Sequence, residues 1–345
     1  MRSKVLLAGV IGVLAALLFV QPVKAQDYQK GLEAFLRSDY ATAIRNWGPL
    51  AEQGDARAQH GLGFMLAKGW GVPQDDGEAV TWWLKSAVQG HARAQYRLGF
   101  MFAQGRGLPQ DDGEAMRWFR KSAEQGYARA QYRLGSMFAR GQGILQDDGE
   151  AATWYRKAAE QGYARAQHNL GFILANGRGL PQDDGEAVTW YRKAAEQGDA
   201  IGQFFLGFML ANGRGVPQDD GEAVTWYRKA AVQGNDWAQN HLGFMLANGR
   251  GVQRDYSEAV TWYRKAAVQG YARAQYRLSI ALTDGQGVRQ DYVKAHMWAA
   301  VAAAQGDATA AKHRKKVVKK MTSAQITQAQ HLARECFARK YKNCE

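Results

Sequence analysis

Gly54, Gly90, Gly126, Gly162, Gly198, Gly234, Gly270 and Gly306 stand 36 residues apart, with no insertion or deletion between them. Trp82, Trp118, Trp154, Trp190, Trp226, Trp262 and Trp298 keep the same step. So do Gly-x-Gly pairs beginning at Gly69, Gly105, Gly141, Gly177, Gly213, Gly249 and Gly285. Such a period dictates a stacked array, because a unit that short cannot bury its apolar face alone and must lean on its neighbours. Length by itself would suggest two or three separate cores in 345 residues, a count the period replaces. With 46% hydrophobic residues and 6 prolines the chain is neither disordered nor collagen-like, and 2 cysteines cannot staple a small disulfide scaffold.

Each unit reads as two helices. In residues 182–215, Asp183 followed by Glu186 is an N-cap and N3 pair of the capping-box type, and both acids suit the positive end of a helix dipole. Ala187, Trp190, Tyr191, Ala194 and Ala195 recur at helical spacing, and Gly198 ends that helix as a left-handed cap. A second helix runs from about Ala200 to Asn212. Gly213-Arg214-Gly215 stops it and Pro217 forbids continuation. The second helices share small residues in two registers: Ala58, Ala94, Ala130, Ala166, Gly202, Ala238 and Ala274, then, five residues on, Gly63, Gly99, Gly135, Gly171, Gly207 and Gly243. Glycine inside a helix costs ~1 kcal/mol relative to alanine. Its repetition implies that a neighbouring helix, or the tryptophan of the first helix, presses on bare backbone. The tryptophans are therefore expected to pack rather than to form a ligand platform.

The run A-V-T-W-Y-R-K-A-A-E-Q-G, continued by A-x-A-Q-x-x-L-G-F-M-L-A-N-G-R-G-V-P-Q-D, resembles the Sel-one-like repeat, a relative of the tetratricopeptide repeat, over roughly residues 39–306. The resemblance implies an all-α fold, a right-handed α-solenoid of stacked 36-residue antiparallel helix pairs that serves as an adaptor or scaffold for other proteins. The expected organisation is a signal peptide over 1–25, an N-terminal cap with a first degenerate repeat over 26–74, and six repeats over 75–290. A degenerate C-terminal repeat over 291–320 and a basic C-terminal helix with its cysteine pair over 321–345 complete it. The end units depart from the pattern as caps should: Trp47 is displaced by one and Pro49 lies inside a helix, while Lys294 replaces the glutamate of the eighth unit. Thr322–Gln325 is a further capping box, starting a last helix to about Arg339.

Positions that vary between copies are exempt from the shared packing demand. Three, six and seven residues past each boundary glycine, the second helices carry Arg93, Tyr96 and Arg97; Arg129, Tyr132 and Arg133; Arg165, His168 and Asn169. The later copies carry Ile201, Phe204 and Phe205; Trp237, Asn240 and His241; and Arg273, Tyr276 and Arg277. Spacing of three and four places each set on one side of its helix. Arginine and aromatic residues anchor protein interfaces, so these sets are the candidate partner-binding stripe, with an apolar middle and basic shoulders, for an extended peptide or a partner helix. The alternative is that Phe205 is core and the arginines are a solvated face.

Charge is unevenly placed. Of the formal +13, residues 26–311 carry only +2 and residues 312–345 carry +8, which is not the footprint of a nucleic-acid binder. Lys312, Lys315, Lys316, Lys319 and Lys320 read either as an attraction for anionic lipid heads or acidic wall polymer, or as a solvated end cap. At the other end, Arg2 and Lys4 precede the apolar run Val5–Val20, and Pro22-Val23-Lys24-Ala25 supplies small residues for a cut between Ala25 and Gln26. An uncleaved anchor is the alternative, but the run spans about 24 Å against a hydrocarbon core of ~30 Å. Export makes a Cys336–Cys344 disulfide permissible; two free thiols would need a reducing compartment.

Catalytic and metal patterns are missing. The Asp75–Glu78 segment and its sister copies lack the alternating oxygen ligands of an EF-hand, and the 7 histidines show no zinc spacing. There is no G-x-S-x-G and no S-x-x-K, and Gly-x-Gly here links helices rather than cradling phosphate. The expectation is a protein without cofactor or metal that acts by binding. The family resemblance implies a place in the bacterial periplasm, in envelope assembly, polysaccharide secretion or sensor regulation. A cell-wall or β-lactam-processing hydrolase is the rival reading, although exported relatives linked to β-lactams carry paired cysteines in each unit and this chain does not. A secreted, host-directed factor is the third.

Overall fold

The computed structural model describes residues 27–341 and Cys344, so the expected signal segment and its cut between Ala25 and Gln26 lie outside the described residues. Two units divide the chain at residues 161 and 162. The first holds α1 (27–36), α2 (Tyr40–Glu52), α3 (Ala56–Lys68), α4 (Asp76–Val88), α5 (Ala92–Gln104), α6 (Asp112–Glu124), α7 (Ala128–Arg140) and α8 (Asp148–Glu160). The second holds α9 (Ala164–Asn176), α10 (Asp184–Glu196), α11 (Ala200–Asn212), α12 (Asp220–Val232), α13 (Asp236–Asn248), α14 (Tyr256–Ala267), α15 (Ala272–Asp284), α16 (Tyr292–Ala304), α17 (Ala308–Val318) and α18 (Ser323–Ala338). There is no strand among the described residues. Within each unit, helices pair antiparallel and the pairs stack in tandem, the all-α solenoid arrangement the period dictates.

The helix starts follow from the aspartates. Asp183 accepts from the Glu186 amide at 2.8 Å, and Asp75, Asp111, Asp147, Asp219 and Asp255 do the same at α4, α6, α8, α12 and α14. The glutamates of these starts have a further role that the capping pattern concealed. Glu186 accepts from the Trp190 indole at 3.0 Å, as Glu78, Glu150, Glu222 and Glu258 do from Trp82, Trp154, Trp226 and Trp262. A lysine three residues on covers each of these rings, Lys193 lying 4.1 Å from Trp190. The reciprocal capping box closes at α18, between Thr322 and Gln325.

The second-helix glycines do meet a neighbour, but the ring is not the periodic tryptophan. It belongs to the next residue, on the helix that follows: Trp83 over Gly63, Phe119 over Gly99, Tyr155 over Gly135, Tyr191 over Gly171, Tyr227 over Gly207 and Tyr263 over Gly243. A Cβ at these glycines would sit 2.7–3.0 Å from ring atoms, closer than carbon atoms pack. This also explains the displacement of Trp47. It occupies the register of Trp83, not of Trp82, and its ring lies between Gly31 and Gly61. At the far end both partners change together. Ser279 replaces the glycine, Ala299 replaces the ring, and the Ser279 hydroxyl donates to the Ala295 carbonyl at 2.6 Å.

Glutamines hold the register. Gln203, buried in α11, donates to the Ala195 carbonyl of α10 at 3.1 Å and accepts from Gln233, at the end of α12, at 2.8 Å. One side chain thus ties three consecutive helices. The same amide pairs recur at 2.7–2.9 Å as Gln89–Gln59, Gln125–Gln95 and Gln161–Gln131 in the first unit, and as Gln197–Gln167, Gln269–Gln239 and Gln305–Gln275 in the second. The Gly-x-Gly loops make the outer tie. Gly213 and Gly215 hold φ of +63° and +67°, and the backbone of Asp184 leaves no room for a Cβ at Gly215. Arg214 between them grips the Asp184 carboxylate at 2.7 Å; Arg250–Asp220 and Arg106–Asp76 repeat the bond.

At the C-terminal end α18 packs on α16, the Tyr341 ring lies against Gly270, and Cys336 and Cys344 stand at bonding distance with their Cα atoms 5.0 Å apart. The Ser279–Ala299 exchange predicts a coupled pair higher up. Gly243→Ser alone should lose about 1–3 kcal/mol by overpacking against Tyr263. Combined with Tyr263→Ala it should cost less than the two single changes summed, by about 1 kcal/mol or more in a denaturant double-mutant cycle. Strict additivity would contradict the packing described.

Candidate functional site on the second helices

The three variable registers separate once folded. The residue three past the boundary glycine is exposed in every copy: Arg57, Arg93, Arg129, Arg165, Ile201, Trp237 and Arg273. Ile201 is 39% and Trp237 42% exposed, unusual for large apolar side chains. The residue six past it points inward. Phe204 is 5% and His168 7% exposed, and Asn240 is buried, while Tyr96, Tyr132 and Tyr276 are half-buried. Phe204 is therefore core rather than stripe: it packs on Tyr227, Trp237 and His241 with ring centres 5.4–5.9 Å apart. His168 is turned in as well, its Nδ1 2.9 Å from the Asp199 carboxylate.

The seventh residue lies flat. Arg97, Arg133 and Arg277 spread over Phe64, Phe100 and Phe244 at 4.9, 5.6 and 4.4 Å. Phe205 fills the equivalent slot, stacked on Tyr191 at 5.1 Å and 6.0 Å from Phe172. Burial pulls the Arg97 and Arg277 guanidinium pKa values below their ordinary range.

Two clefts collect predicted residues. In the second unit a cleft of about 310 Å³ takes Arg273, Tyr276 and Arg277, but both arginines are engaged. Arg273 donates to Thr309 at 2.9 Å and pairs with Asp307 at 3.6 Å, and Arg277 donates to the Asn240 backbone at 3.1 Å. In the first unit a cleft of about 490 Å³ brings Arg93, Arg97 and Arg129 around Tyr28, Phe64 and His60. Arg93 and Arg129 are exposed and have no carboxylate partner among the described residues. Tyr28 and Tyr127 join this cleft without having been anticipated. Tyr127 occupies the position just after the boundary glycine, which is tyrosine also at 163 and 271 but Asp55, His91, Asp199 and Asn235 in other copies, a variation that could have pointed to it. Arg165 is exposed away from both clefts, and Arg133 lines a separate one beside Arg140.

Among the described residues no group of three or more histidine, cysteine or carboxylate side chains converges as a metal site, and no helix is long and apolar enough to cross a membrane. The Sel1 repeat profile matches residues 56–91, 92–127, 128–163, 164–199, 200–235, 238–271 and 272–307. The chain belongs to the Sel1 repeat family. The profile counts each repeat from a second helix through the first helix that follows, the pair closed by the glycine–ring contact. A Sel1 repeat protein from Oxalobacter formigenes is 33% identical, with 70% of this chain and 96% of that one covered at a TM-score of 0.64. A protective antigen of uropathogenic Escherichia coli displaying an SLR fold is 28% identical, with 88% of each chain covered at a TM-score of 0.51. No curated protein matches. Sel1 repeats generally act as scaffolds for protein–protein interaction and are typically non-catalytic.

Two measurements follow. Phe204→Ala should lose about 3–5 kcal/mol of stability, Trp237→Ala, whose ring packs on Phe204, about 1–2 kcal/mol, and Ile201→Ala less than about 1 kcal/mol in urea unfolding. Burial, with His91 and two arginines nearby, pushes His60 down to about 3, and burial beside Arg277 pushes His241 down to about 4, from an ordinary 6.5. The unfolded chain therefore binds protons that the folded one refuses. Stability is full above about pH 6.5 and falls as pH drops toward the folded values, by about 2 kcal/mol per histidine at pH 5. Thermal melts between about pH 7 and pH 5 should lose part of this acid sensitivity in His60→Gln.

Proposed function

We propose that this Sel1 repeat chain is a non-catalytic adaptor of the bacterial cell envelope that binds a partner protein or peptide through exposed side chains of its second helices. The observation that carries this reading is the cleft of the first unit. There Arg93 and Arg129 stand unpaired above aromatic walls, the composition of an interface anchor rather than of a solvated face. An extended segment bearing carboxylates and an apolar side chain has the complementary chemistry, with guanidinium–carboxylate bonds at the rim and ring contacts below. The apolar run before Gln26 and the Cys336–Cys344 pair support an exported, oxidising location, periplasmic or beyond.

The test is photo-crosslinking in the native cells from positions 93, 129 and 237, followed by mass spectrometry. A discrete adduct at 129 that Arg93→Glu abolishes, together with recovery of the chain from the periplasmic fraction, is the expected result. Adducts indistinguishable from those of a probe on Glu160, off the second helices, would end the proposal.

A further inference from the structure

The basic C-terminal segment is not one uniform surface. A cleft of about 700 Å³ opens between α16, α17 and α18, and four cations line it: Arg314 and Lys315 from α17, Lys319 at its C-terminal cap and Arg334 from α18. None of the four has a carboxylate within ion-pair distance among the described residues. Lys312, Lys316 and Lys320 are not among the lining residues, and Lys320 covers the Tyr292 ring at 5.4 Å. The expected five-lysine patch thus divides, with Lys315 and Lys319 in the cleft and Lys312, Lys316 and Lys320 outside it.

His296 of α16 lines the same cleft. It is 3% exposed, and its Nδ1 has no hydrogen-bond partner among the described residues. A buried imidazole nitrogen left unsatisfied is costly unless a ligand satisfies it. A charge of four around one cleft exceeds what one carboxylate would balance and suits a dianion, and one lining residue carries a polar nitrogen without a partner. We propose that this cleft binds a phosphomonoester-type group, either free or carried on a lipid headgroup, held by Arg314, Lys315, Lys319 and Arg334 and hydrogen-bonded to His296. Two planar guanidinium forks suit phosphate oxygens, and the lysines add point charge.

The purified chain is titrated calorimetrically with inorganic phosphate, and sedimented with vesicles of phosphatidylcholine with and without phosphatidic acid. The proposal expects saturable binding in at least one arm. Phosphate binding indicates a free ligand; retention on phosphatidic acid vesicles alone indicates a lipid-borne one. Lys319→Gln and Arg334→Gln should each weaken that binding roughly tenfold, the Lys312→Gln/Lys316→Gln pair should leave it unchanged, and the His296 ring nitrogen resonances should move on saturation. Circular dichroism checks that each variant remains folded. Absence of saturable binding in both arms, equal weakening by the Lys312→Gln/Lys316→Gln pair, or unmoved His296 resonances overturns it.

Discussion

Everything in each unit depends on an aromatic ring lying directly on helix backbone. That approach is open where one helix gives up its side chain, as at the six glycines from Gly63 to Gly243 and at Gly31 and Gly61 around Trp47. The loss of helix propensity at each, ~1 kcal/mol, is offset by burial of a ring that contributes more than that amount. The distance between helices is set by this contact. Their sliding position is set by the glutamine side chains, which reach a carbonyl on one side and an amide on the other, so a shift along the axis would leave buried polar groups unsatisfied. Apolar packing gives spacing and hydrogen bonding gives register; neither would suffice alone.

The period, the two helices per unit, the aspartate caps and the glycine turns were legible in the sequence because each is enforced locally. What was not legible is how the copies touch. Trp190 and Tyr191 are adjacent and both belong to aromatic registers, and nothing in a helical wheel says which lies on the preceding helix and which is clothed by its own glutamate and lysine. The glutamines repeat as faithfully as the tryptophans, but an amide carries no sign of its partner until the partner, thirty positions along, is brought beside it.

The candidate face shows the same limit. Variation between copies marked three registers, and the fold sorted them into an outward row, an inward row and a row laid flat over neighbouring rings. Phe204 and Trp237, alike as letters, separated into core and surface. Arginine in the flat row is structural packing as much as charge, and Phe205 can take its place because the slot is made of rings. Recognition is then left to side chains that no neighbour has claimed, which is why Arg93 and Arg129 differ from Arg273 despite identical placement in the repeat.

The short reach of the glutamine bonds has a consequence for how such a chain is made. The glutamine bonds join residues eight or thirty positions apart, and none waits for the far terminus to arrive. A helix leaving the ribosome or a translocation channel meets its binding partner already in place, just upstream. Assembly can therefore advance like a closing zip, at a pace set by delivery and with little slowing as further copies are added.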